Sequence, residues 1–294
     1  MATRTLLKAN SVSVLLPGYR RTLAEKYSVQ NVLLGTHGTL APCPSPPDFS
    51  RRGDPEQRIL AIGHWGTYKR LETLMDAFPA VLKKVPNAKL TVAGANHHTK
   101  PKYWESIRES LSPASGVEFR GYIPEEDIPE LFRTCTVLVM PYDSATGSSG
   151  PAHQACEYGV PIVCADLADF RDMATAEDMA ISFFKVGDAV DLADKLVAIL
   201  QSPVEQRQMA EHNFSAAMQM TMSSVVRNYL RWFELKKCKK AIGLAPWFPG
   251  WANFWRRSVL ARTGSASASW SLHSKLSAVG ETKNNHANLE AAEE

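Results

Sequence analysis

"TVLVMPYDSATGSSGPAHQACEYGVPIVCA", residues 136–165, decides the fold. It opens on an apolar run without alternation, the mark of a strand buried on both faces. It closes on a second such run, "PIVCA". Between them Gly-Ser-Ser-Gly, four residues poor at filling a core, leads into a helical stretch. A buried strand, a turn, a helix and another buried strand make one unit of a parallel sheet. The turn then lies at the carboxyl end of a strand, where such sheets bind ligands.

The same alternation runs upstream and downstream. "ILAIG" is a short strand ending in glycine. The helix after it carries Leu71, Leu74, Met75, Phe78, Val81, Leu82 and Val85 on one face, with Pro79 inside and expected to kink it against the Met75 carbonyl. "KLTVAG" and "VEFRG" are strands, each followed by a helix, "KYWESIRESL" and "EEDIPELFRTC". "MAISFFKVGD" is a sixth strand after a short helix "DFRDMAT", and helices near 188–201, 203–218 and 222–237 close the domain. The expected fold class is α/β, a Rossmann-like parallel sheet with helices on both faces. Ahead of it, "SVSVLLP", "GYRRTLAEKYS" and "QNVLLGTHG" read as strand, helix and strand. They are joined to the rest by "TLAPCPSPPDFSRRGDPEQ", a linker too rich in proline and charge for a regular element. The domains so read are 1–40, a remnant; 41–57, a linker; 58–237, the sheet domain; and 238–294, a tail.

Composition sets outer limits. The 294 residues carry a formal net charge of +3, too small to argue for nucleic acid. Five cysteines, an odd number without a C-x-x-C pair, point to a reducing compartment and to neither disulfides nor structural zinc. No apolar run reaches the ~18 residues of a membrane span.

The physics of the 147–150 turn favours an anion. A helix starting near Ser148 offers unpaired N–H groups and the positive end of its dipole. Gly147 and Gly150 let a ligand approach the backbone. Ser148 and Ser149 add hydroxyls that either meet a ligand or cap the helix. The bland alternative is an ordinary capped turn. A second loop, "GHWGTYKR", also leaves a carboxyl end and brings His64, Gly66, Lys69 and Arg70. Cations are unfavourable at a helix N-terminus, which argues for a purpose beyond solubility. Two anion-friendly loops on one sheet edge suggest a nucleotide diphosphate between them. Neither G-x-x-x-x-G-K-[ST] nor G-x-G-x-x-G is present.

At this point the chain resembles a known family. "ILAIGHWGTYKRLETLMDAF", "NAKLTVAG", "VEFRGYIPEEDIPELFRTCTVLVMPY" and the stretch from Gly147 to "GVPIV", taken in order, are similar to the donor-binding C-terminal domain of retaining glycosyltransferases of family 4, glycosyl transferases group 1. These pair two facing Rossmann-like domains in the GT-B arrangement. The likeness covers roughly residues 58–200. It implies transfer of a sugar from a nucleotide-diphosphate sugar to an acceptor hydroxyl. Lys69 matches the lysine on the donor diphosphate. Gly147, Ser148, Ser149 and Gly150 match the loop whose amides hold sugar and phosphate, and Tyr122 and Ile123 match positions near the base. No cofactor is implied, and no metal.

Departures accompany the likeness. Thr146 and Gln154 stand where the family has acidic residues, and His64 and Trp65 where an arginine is usual. Gln154 accepts a hydrogen bond without charge. Glu157, three residues on, either substitutes for the lost acid or faces solvent. Asp143 and Asp169 read either as touching the ligand or as turn caps, capping being favoured, His153 as packed, and His37 as lining the cleft or bonding its own turn.

The family's first domain carries most acceptor contacts, and only about 40 residues precede the linker here. The resemblance therefore implies an incomplete enzyme. A non-catalytic nucleotide-sugar binder, or a subunit of a split enzyme, is the alternative. An epimerase on a similar frame is disfavoured because no pair of acid/base histidines is evident. Residues 236–280 hold eight basic residues and no acidic one, with Trp247, Trp251 and Trp255 four apart. Basic and aromatic together are the signature of an interfacial anchor. That stretch, 238–257, reads as a membrane-surface contact near a lipid-linked glycan acceptor, as packing on the absent domain, or as disordered; beyond Thr263 the serine-, alanine- and asparagine-rich end is expected to be disordered. Localisation is then cytoplasmic, free or peripheral on a membrane.

Overall fold

The computed structural model describes residues 2–41, 44–49, 56–111, 116–145 and 147–243. Thr146, Cys43 and the tryptophans at 247, 251 and 255 lie outside them. The chain divides into two compact units, Met1–Arg231 and Trp232–Glu294. In the second, the described residues are the end of one helix. There Lys236 Nζ stands 5.2 Å from the centroid of the Trp232 ring, and Phe233 and Leu235 are exposed. No described helix is long and apolar enough to cross a membrane.

The first unit begins with helix α1 (Ala2–Leu6), strand β1 (Val12–Val14), helix α2 (Pro17–Tyr27) and strand β2 (Val32–Leu34). β1 and β2 pair in parallel, Ser13 opposite Leu33. Pro17 opens α2, a position whose N–H has no helical partner in any case. α2 buries no side chain fully, but Leu16 just before it is 1% exposed and belongs to the main core.

The main sheet follows as β3 (Arg58–Ile62), α3 (Glu72–Lys84), β4 (Lys89–Ala93), α4 (Tyr103–Glu109), β5 (Val117–Gly121), α5 (Ile128–Thr134), β6 (Val137–Met140), α6 (Gly150–Glu157), β7 (Ile162–Ala165), α7 (Ala168–Ala176), β8 (Ile181–Phe184), α8 (Ala189–Gln201), α9 (Pro203–Gln219) and α10 (Met222–Gly243). α3 runs through Pro79 as one element. A 3-10 turn, Glu125–Asp127, precedes α5, which carries Pro129 in its first turn. Asp188 caps α8 by accepting from Val190 N and Asp191 N, and Ser202 caps α9 by accepting from Glu205 N.

All strand pairs are parallel, in the order β5-β4-β3-β6-β7-β8. β6 and β7 are buried at every position, as unalternating apolar runs require. α3 packs with α8, and α6 with α9. Fully buried Asn213 of α9 ties that helix to the sheet. Its Nδ2 donates to Val160 O at 3.0 Å and Ala180 O at 3.1 Å, and its Oδ1 accepts from Ala180 N at 2.7 Å. The strand order places the site. The chain starts at the centre with β3, runs outward to β5, then returns to β6 and runs the other way. Where the direction reverses, between the loops after β3 and β6 at the carboxyl ends, sheets of this order hold their ligands in a crevice.

Candidate functional site

The crevice is walled by the two loops that sequence reading singled out. They are joined to each other: Lys69 and Tyr142 form an antiparallel bridge, and Asp143 N donates to Tyr68 O at 3.0 Å. The β3 loop is anchored by Trp65. Its indole is fully buried and donates to Ala93 O at 2.8 Å. Gly66 is buried under the next loop, where a Cβ would lie 2.7 Å from Lys100 Cβ. Gly66 N closes a turn onto Lys69 O, and Tyr103 Oη accepts from Leu71 N at 2.8 Å while donating to Glu72 Oε2 at 2.6 Å. Gly66 therefore serves loop packing rather than ligand approach. His64 is exposed.

Lys69 lies half-buried against Gly63, its Nζ 5.1 Å from the Tyr142 ring centroid. Burial holds its ammonium below the ordinary lysine value, and among the described residues no carboxylate offsets it. Arg70 next to it is exposed and already paired, with Glu72 at 3.3 Å and Asp143 at 3.5 Å. A desolvated cation without a counter-ion seeks an anion. Tyr142, 3% exposed, packs on Phe170 of α7 with centroids 5.8 Å apart.

The glycine-serine turn differs in detail from expectation. α6 starts at Gly150, near Ser148 as expected, but Ser149 as N-cap lends it no side-chain oxygen. The Ser149 hydroxyl is buried and directed at Met140 Sδ, 3.3 Å away; that of Ser148 lies 3.7 Å from Met173 Sδ. Neither hydroxyl caps the helix. Among the described residues no acceptor reaches the N–H of Gly150, and nothing lies within 4 Å of a Cβ placed there; Ala152 is fully buried, so the positive end of α6 stays open through Gly150 alone. The Gly147 amide is engaged, donating to Asp169 Oδ2 at 2.8 Å, and Gly147 takes a φ of +117° to do so. The same oxygen accepts from Tyr19 Oη of α2 at 2.6 Å. Asp172 Oδ2, one turn on, accepts from Gly18 N at 2.7 Å.

Other candidate residues fall in different places. Gln154 is partly exposed on α6, with no side-chain partner among the described residues. Glu157 is 4% exposed and directed away from solvent. It accepts from the amides of Leu40 and Ala41, so it tethers the linker. Burial pushes its carboxyl up against the pull of those amides. Tyr122, at the end of β5, is 75% exposed and presents an open ring; Ile123 packs on the core. His153 is fully buried: Nδ1 donates to Ser149 O at 2.7 Å, and Nε2 stands 2.8 Å from Glu177 Oε2 without hydrogen-bond alignment. His37 stacks on it with ring centroids 4.4 Å apart and bonds Gly38 O. Sequence reading missed the Asp169–Gly147–Tyr19 contact, the Tyr142 seat of Lys69 and the His153–Glu177 pair. Each joins residues distant in the chain.

Residues 56–202 match the family described as glycosyl transferases group 1. Phosphatidyl-myo-inositol mannosyltransferase of Mycobacterium leprae is 23% identical over 201 residues, 67% of this chain and 50% of that protein. Sucrose-phosphate synthase from Thermosynechococcus elongatus superposes with a TM-score of 0.66 at 18% identity, over 81% of this chain and 61% of that one. HepE of Anabaena, crystallised with UDP and glucose, superposes with a TM-score of 0.62 at 13% identity, over 77% and 63%. At those identities the two structures show a common fold. The chain spans half the length of the mannosyltransferase and under two thirds of either solved protein.

Proposed function

The chain belongs to the glycosyl transferases group 1 family, and from that premise we propose that it binds a nucleotide-diphosphate sugar in the β3–β6 crevice for transfer of the sugar to an acceptor hydroxyl. One observation carries this reading: Lys69, a half-buried cation without a carboxylate among the described residues, stands on the strand-end bridge to the loop that leads into the open N-terminus of α6. A diphosphate between them would meet a point charge from one loop and the unpaired Gly150 amide from the other. HepE's complex with UDP and glucose supports a nucleotide diphosphate as the donor's leaving group.

In this mechanism the bond from sugar to phosphate breaks as Lys69 and the Gly150 amide stabilise the departing charge. These groups take the part that a metal ion plays elsewhere. The acceptor hydroxyl attacks from the face the diphosphate leaves, so configuration is retained. Tyr122 offers its exposed ring to the base, and Gln154 accepts from a ribose hydroxyl. Thr146 is assigned to the sugar side. Glu157 has no part, because the linker amides occupy it. A second reading, a non-catalytic nucleotide-sugar binder, is favoured by the uncharged Gln154.

For the acceptor we infer a lipid-linked glycan at a membrane surface. The M. leprae relative's name carries a phosphatidyl lipid, and residues 238–257 are basic and rich in tryptophan. Buried thiols at Cys156 and Cys164 in the core support a cytoplasmic setting.

Calorimetric titration with UDP and GDP tests the donor reading. Lys69→Ala is expected to weaken the preferred nucleotide by about 10- to 150-fold, the equivalent of about 1.5–3 kcal/mol for a hydrogen bond to a charged group. No binding of either nucleotide, or equal binding by wild type and variant, would refute it. A transfer assay with the matching nucleotide sugar then separates enzyme from binder.

A further inference from the structure

We propose that Asp169, presented by α7 and oriented by Tyr19 of α2, is the specificity-determining carboxylate that receives hydrogen bonds from the sugar hydroxyls of the donor. The inference rests on the donor reading above and names the residue that reads the sugar.

Several observations carry it. Asp169 is attached to the lip of the crevice through the Gly147 amide. Both its recorded bonds, from Gly147 N and Tyr19 Oη, fall on Oδ2. Among the described residues Oδ1 accepts none, although an ionised carboxylate offers about four acceptor sites. Asp169 is only partly buried, so that oxygen remains open to a ligand. Mere attachment of α2 does not require it, since Asp172 already holds the Gly18 amide.

The order of groups along the sheet edge fits. Reading the strand order from β5 to β7, the carboxyl edge presents the exposed ring of Tyr122, then the cation Lys69, then the open Gly150 amide of α6, and beyond β7 the carboxylate of Asp169. At ~4.8 Å per strand, β5 and β7 are roughly 19 Å apart. A nucleotide-diphosphate sugar is a linear series of base, ribose, diphosphate and sugar. A carboxylate repels the diphosphate and accepts charge-assisted hydrogen bonds from hydroxyls. Positive and negative ends of the crevice therefore fix which way round the donor lies. Tyr19 restrains the carboxylate through the oxygen that the Gly147 amide also holds, which makes it a positioning residue. Its phenol is pushed up to about 12, by burial first and by the bond to Asp169 second, so it remains a donor throughout the working pH range.

The test is calorimetry with bare UDP and GDP and with UDP-glucose, UDP-N-acetylglucosamine and GDP-mannose. The readout is the sugar increment, the affinity of a nucleotide sugar divided by that of its bare nucleotide. Asp169→Asn can still accept from Gly147 N. It is expected to reduce the increment by about 5- to 20-fold while bare nucleotide binds equally well or a few-fold tighter. Tyr19→Phe, which keeps the carboxylate and frees its orientation, is expected to reduce the increment by about 2- to 5-fold with bare nucleotide unchanged. An unchanged increment in Asp169→Asn overturns the proposal, and so does an equal loss for nucleotide and nucleotide sugar, the sign of a structural role alone. If wild type binds none of the five probes, the donor reading itself fails, a different result from wild-type binding with an unaltered increment.

Discussion

Replacing Gly94 with alanine would strike the floor of the crevice. Gly94 follows β4 with a φ of +102°, and its N–H donates to Gly121 O at 2.6 Å. A Cβ there would lie 1.9 Å from Gly63 O and 2.9 Å from Gly63 C. Both are backbone atoms that cannot rotate aside, and Gly63 N is itself bonded to Ala93 O at 3.2 Å. The ends of β3 and β4 must separate to admit the methyl. The left-handed backbone costs about 1–2 kcal/mol for a non-glycine residue, and overpacking about 1–3 kcal/mol. With strained strand-end bonds, about 3–5 kcal/mol in all is expected, or a fall in melting temperature of about 10 °C for a unit of this size. Differential scanning calorimetry and urea unfolding measure it. Because Lys69 packs on Gly63, nucleotide affinity should also fall at temperatures where the variant is still folded. A melting shift under about 2 °C with unchanged nucleotide affinity would refute both the packing and its link to Lys69.

Gly150→Ala is the counter-experiment. Its Cβ would meet nothing within 4 Å, so melting should be unchanged or slightly higher; nucleotide affinity should drop as the methyl enters the space above the open amide, and titration of a variant that binds normally would place the phosphate elsewhere. Nucleotide affinity should also depend on pH through Lys69. Its folded pKa is depressed by burial, so the ammonium is lost as pH rises through a value below that of ordinary lysine, and affinity should fall there. A Lys69→Arg variant should hold its affinity over that range, and identical alkaline profiles would contradict the assignment. Asn213→Ala removes three buried hydrogen bonds and should cost about 2–4 kcal/mol; a change below about 0.5 kcal/mol by urea unfolding would show that α9 is not tied to the sheet there.

The alternation of strands and helices was legible because each element carries its own period. "TVLVMP" and "PIVCAD" could only be doubly buried strands, and they are. Strand order was not legible, since it depends on which pairings form rather than on any local pattern; it is the order that turns two glycine-containing loops into one crevice. "GHWG" reads as a polar loop, yet Trp65 is its buried anchor, because the indole N–H finds Ala93 O once β3 and β4 pair. Ser149 reads as a ligand donor by residue type, but its β-region backbone turns the hydroxyl to Met140. Glu157 reads as open to the site or to solvent until the linker amides come down on it. Asp169 reads as a turn cap, and it does hold a turn. The turn is its neighbour in space, 22 residues upstream, with Tyr19 arriving from 150 residues away.

The most direct measurement is a crystal structure of the chain with bound UDP or GDP, whichever binds by calorimetry. Phosphate oxygens are expected about 2.7–3.2 Å from Lys69 Nζ and, in the same ligand, from the amide of Gly150. An ordered nucleotide whose phosphates touch neither, with Lys69 still resting on the Tyr142 ring, would contradict it.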